Sequence, residues 1–96
     1  PHEVSPSWKF LVRVSRAGDS RQVVVEGAVT GNDKIELRVP PGHYWVFLPR
    51  DEGGFPSNSI APVAMPDHKF ANAWADVTIG MTGMTDVTLI YVYRSS

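Results

Sequence analysis

DKIELRVPPGHYWVFLPR, Asp33 to Arg50, holds two extended apolar runs joined by a Pro-Pro-Gly corner, and its reading decides the fold. In the first run Ile35, Leu37 and Val39 alternate with Lys34, Glu36 and Arg38, the period of a strand with one packed and one wet face. In the second, Tyr44, Val46 and Leu48 alternate with His43, Trp45 and Phe47, so both faces carry bulk. A strand that is apolar on both sides belongs inside a sheet. Pro40 and Pro41 have no amide donors, so one strand is expected to end at Val39 and the next to begin at His43.

Towards the N-terminus the same texture continues. Trp8, Phe10, Val12 and Val14 fall on one face of a strand, with Lys9, Arg13 and Ser15 opposite and Leu11 as the apolar exception. Ala17 to Ser20 supplies turn formers, and the connection expected is a hairpin. Arg21 to Val29 carries three successive valines, whose β-branched side chains suit extended chain. Gly27 interrupts this run and reads as a bulge or as a close approach of another backbone. Thr30 to Asp33 is a turn, and residues 1–7, polar with two prolines, form a flexible lead-in.

Towards the C-terminus the texture first breaks. Residues 51–69 read as a long connection, with a short extended piece around Ile60 to Ala64 that Pro62 confines to a sheet edge. Lys69 to Ala75 fits a helix or a strand, because its alanines favour the first and their alternation the second. Ala73, Ala75, Val77 and Ile79 then share one face, with Trp74, Asp76 and Thr78 on the other. After the turn-rich Gly80 to Thr85, a last strand over Asp86 to Arg94 places Val87, Leu89, Tyr91 and Tyr93 on one face.

Six strands, with one or two more in the middle connection, and no convincing long helix make the chain all-β. The expected architecture is an immunoglobulin-like or transthyretin-like antiparallel β-sandwich of about seven strands, with a small β-barrel as the alternative. Ile35 to Leu48 resembles the strand, Pro-Gly corner, aromatic-strand pattern of transthyretin-like and other immunoglobulin-like accessory modules. That resemblance implies a sandwich and carries no activity with it. Residues 8–96 form one domain, since 96 residues are too few for two independent cores.

Composition narrows the function classes. A formal charge of -1, from nine basic and ten acidic side chains, leaves no basic footprint for nucleic acid. Lys9, Arg13, Arg16 and Arg21 are the nearest approach to a cluster and read as a solvated face. The absence of cysteine excludes disulfides, thiolate nucleophiles and cysteine-ligated metals. No apolar stretch is long enough for a transmembrane helix. A chain beginning at Pro1 reads as a processed or excised piece, and an extracellular or periplasmic location is favoured.

No metal or other cofactor is expected. His2, His43 and His68 lack any short ligand spacing. Met81 and Met84, three residues apart in a turn, are the weak candidates for a soft ion, with Met65 or a histidine completing the shell; the ordinary reading is two hydrophobes tucked under a loop. No serine lies in a nucleophile elbow, and Asp51 and Glu52 are adjacent loop charges that do not face across a cleft, so the chain is read as not an enzyme.

Aromatic side chains are the remaining candidates. Trp45, Phe47, Phe55 and Trp74 are the binding candidates, each outside the clearest inward-facing sets. Covered by a second layer or by the long connection they are core; open, they anchor a protein or stack on sugar rings. The expected function is a noncatalytic protein-interaction or structural accessory module, with a protein as partner. The alternative is a carbohydrate-binding module, which requires Trp45 and Trp74 exposed and coplanar.

Overall fold

The computed structural model describes residues 9–30, 33–49, 62–81 and 83–90. They form one antiparallel sheet of five strands with no helix among the described residues. The strands are β1 (Lys9–Arg16), β2 (Asp19–Thr30), β3 (Gly42–Pro49), β4 (Val63–Ala64) and β5 (Phe70–Ile79), in the order β2-β1-β3-β5-β4. The sheet is open, so closure into a barrel is not observed.

The first hairpin turns on Ala17 and Gly18, where Gly18 sits at φ 95, a left-handed conformation that favours glycine. From there β2 runs back along β1, and its pairing slips between Val14 opposite Val25 and Ser15 opposite Val23. The extra residue is Val24, so the bulge expected near Gly27 lies three residues earlier. Gly27 instead marks a close approach by side chains. A Cβ there would collide with Ile35 Cδ1 and stand 3.0 Å from Leu37 Cδ2.

β3 takes the central place that its two apolar faces require, between β1 and β5. It starts at Gly42, directly after the two prolines. Tyr44, buried on β3, donates its hydroxyl to the Pro40 carbonyl at 2.6 Å, which ties the corner back onto the strand. Both faces of β3 carry a cluster. On the first, Phe10, Val12, Leu48 and Ala73 pack with Val29, Leu37, Val46 and Leu89. On the second, Trp45, Phe47, Met65 and Ala71 pack with Ala17 and Trp74.

β5 changes face along its length. Leu48 opposes Ala73 but Pro49 opposes Ala71, so Asn72 is the extra residue of a second bulge. Ala71 therefore joins the second cluster while Ala73 joins the first, although two residues apart on an unbroken strand they would share a face. The helical alternative over Lys69 to Ala75 is not adopted: flanked by β3 on one side and β4 on the other, the alanine run is paired as strand. β4 is the edge piece expected between Ile60 and Ala64.

Two expected strands differ from the structure. Residues 33–40 and 84–90 belong to no ladder among the described residues. Their alternation is nevertheless real: Leu37 and Leu89 turn inward onto the first cluster, while Lys34, Glu36, Arg38, Asp86 and Thr88 are exposed. Through Leu37 and Leu89 they lie against the sheet as an outer layer. Residues 1–8, 31–32, 50–61, 82 and 91–96, and with them the lead-in and most of the long connection, lie outside the described residues.

Candidate functional site

The second face of the sheet gathers the side chains with chemistry. His43 and Trp45 project from it on β3, and Asp76 stands opposite Trp45 on β5. One carboxylate serves both neighbours: Asp76 Oδ1 bonds His43 Nε2, and Asp76 Oδ2 accepts the Trp45 indole Nε1–H at 3.1 Å. The hydrogen bond from His43 holds the Asp76 carboxyl below its usual range against the opposing effect of desolvation, with the indole N–H and the charge of His43 adding to it. The pair is open to water on one side, since about half of each side chain is exposed.

Below this triad the face is aromatic. Trp45 and Trp74 meet edge to face, with ring centroids 6.1 Å apart and planes inclined by 72°. Phe47 opposes Trp74 across the β3–β5 ladder, and Met65 fills the floor beside them. Trp45 and Phe47 are each only 4% exposed, so both are core side chains and not an open recognition surface. Trp74 is half-buried. The coplanar, exposed indole pair required of a sugar platform is not what these rings form. Phe55 lies outside the described residues.

A second polar knot joins the two hairpins. Asp67 accepts the Ser20 amide at 2.9 Å and the Lys69 amide at 3.0 Å, linking the start of β2 to the turn between β4 and β5. Desolvation pushes the Asp67 carboxyl up, but the hydrogen bonds from Ser20 and Lys69 outweigh it and leave its pKa lowered. His68 completes that turn at φ 70, with its amide bonded to the Met65 carbonyl at 2.9 Å. Near the first turn, Asp19 is likewise lowered, chiefly by the Arg21 amide.

The remaining sequence candidates separate. Met81 and Met84 are 89% and 74% exposed, so they do not tuck beneath a loop, and Met65 is buried in the second cluster. Both thioethers lie at the surface. Among the described residues no group of three His, Asp or Glu side chains is placed to hold a metal ion. Lys9, Arg16 and Arg21 are exposed, whereas Arg13 bonds Glu26 across the β1–β2 ladder.

Sequence reasoning missed Asp76 as the joint of this face. Its signal was present in the alternation that put Trp74, Asp76 and Thr78 on one side, but only the β3–β5 register brings Asp76 to His43 and Trp45. Asp67 carried no sequence signal beyond a turn. No protein-family model matches this chain, and neither a curated protein nor a solved structure matches it.

Proposed function

We propose that the chain is a noncatalytic protein-interaction or structural accessory module, built as a sheet with an outer layer that a partner completes into a sandwich. The observation that carries this reading is the outer layer itself. Residues 33–40 and 84–90 alternate as strands and contribute Leu37 and Leu89 to the first cluster, yet neither enters a ladder among the described residues. Four of the exposed large hydrophobic side chains, Ile35, Met81, Met84 and Ile90, lie in or beside that layer. Extended chain beside exposed apolar side chains is what an added strand recognises.

The polar groups of the opposite face support a structural role. Both Asp76 oxygens are engaged by neighbours, and the aromatic side chains below are packed against one another. A photo-crosslinking residue in place of Ile90, with the same residue at Val23 on β2 as control, tests the reading. The expected result is a saturable crosslink to one polypeptide from Ile90 alone, competed away by unlabelled chain. Equal crosslinking from both positions, or none that competition removes, would sink it.

A further inference from the structure

We propose that Met81 and Met84 form a reversible oxidation site for hydroperoxides, one that turns an apolar part of the surface polar and leaves the fold intact. The inference stands whether or not the outer layer binds a partner.

The accessible sulfur of the chain is gathered in one place. With three methionines and no cysteine, a two-electron oxidant meets no thiol, and sulfur chemistry falls to the thioethers. Exposure divides the three. Met65 is 3% exposed and packs with Trp45, Phe47 and Ala71, whereas Met81 and Met84 are 89% and 74% exposed. A peroxide therefore reaches the pair first.

The local structure lets the pair change polarity without disturbing a core. β5 ends at Ile79, and Gly83, at φ 84, lies between the two methionines in the chain that follows. Residues 80, 81 and 83–86 are all exposed, and neither thioether belongs to a hydrophobic cluster. Oxidation converts a flexible apolar side chain into a polar one, which disrupts packing where the methionine is buried. At Met81 and Met84 the added oxygen faces water. The change falls on two of the four exposed apolar side chains in or beside the outer layer.

In the step, the thioether sulfur attacks the terminal peroxide oxygen. The S–O bond forms as the O–O bond breaks, and sulfur gives up two electrons to the peroxide. The proton of the attacked oxygen passes to the departing one, which leaves as water or, from an alkyl hydroperoxide, as an alcohol. Methionine sulfoxide reductases reverse the change, removing the oxygen as water while two thiols become a disulfide, with one enzyme for each sulfoxide epimer.

The test treats the full chain with hydrogen peroxide, quenches it and digests it with trypsin. Cleavage after Arg50, Lys69 and Arg94 leaves Met65 in one peptide and Met81 with Met84 in the next, where fragment ions assign each oxygen. Met81 and Met84 should be oxidised at least about tenfold faster than Met65. The oxidised chain should elute earlier from a hydrophobic-interaction column with its urea midpoint unchanged, and the two reductases together should restore mass and retention. A Met81→Leu, Met84→Leu double variant, apolar but inert to peroxide, should keep its retention after the same treatment. Oxidation of Met65 as fast as the pair, a urea midpoint that falls as the pair is oxidised, or an equal retention shift in the double variant would each overturn the proposal.

Discussion

Residues 33–40 and strand β3 sit side by side in the chain, both alternate, and among the described residues only β3 is paired in the sheet. β3 carries apolar side chains on both faces and is paired on both edges. Residues 33–40 carry them on one face and lie on the sheet through Ile35 and Leu37, in no ladder among the described residues. Alternation therefore reports which side chains turn inward. It does not report whether the backbone is paired, because a packed face can be buried against a sheet as well as within one.

The largest difference between the two regions should appear on truncation. Phe47→Ala on β3 removes a buried ring from the second cluster and should destabilise the chain by about 3–5 kcal/mol in urea unfolding. Leu37→Ala in the outer segment removes a half-buried side chain and should cost about 1–2 kcal/mol. Equal costs would mean that residues 33–40 are as much a part of the core as β3.

Asp67→Ala comes next, since it strands the amide of buried Ser20 and should cost about 1–3 kcal/mol. Its pH signature has a definite sign. The folded carboxyl is held below the ordinary 3.8, so the unfolded chain binds the proton more readily, and this contribution is present above that value and lost as pH falls through the folded pKa. The variant should lose part of the acid slope of stability; an unchanged slope would remove Asp67 as its source.

Gly27→Ala probes the contact between β2 and the outer segment. Alanine ordinarily suits a strand better than glycine, but here the new methyl meets Ile35, and a loss of about 1 kcal/mol is expected. Adding Ile35→Ala should recover most of it, as contacting sites couple. Additive effects would show that the segment does not rest on Gly27. The smallest effect belongs to Asp76→Asn. Its carboxyl is also lowered, first by the His43 hydrogen bond, so the change should show as a flatter acid limb below pH 3.8 and a shifted Trp45 indole proton resonance in NMR.

Much of the sheet was legible in the sequence because its strands alternate cleanly. The one-sided pattern of Phe10, Val12 and Val14 located β1, the two-sided bulk of His43 to Leu48 located β3, and Pro62 located the edge piece. What could not be read depends on register and on bulges. The bulges at Val24 and Asn72 each insert one residue and shift the face of what lies beyond, and a further slip between Ser15 and Arg16 skips three residues of β2, with no residue type that announces any of them. The candidate site suffered most from this. Trp45 and Phe47 looked like recognition residues because they oppose an apolar set, but the bulge at Asn72 brings Ala71 to their side, and Met65 packs there with them.

Amide hydrogen exchange by NMR on the folded chain tests most directly whether the outer layer is held by side chains and not by a ladder. Amides of residues 43–48 should exchange only through global unfolding, while those of 34–39 and 85–90 should exchange through local release, at least about a hundredfold faster. Protection of residues 34–39 equal to that of β3 would contradict it and place that segment in a paired second sheet.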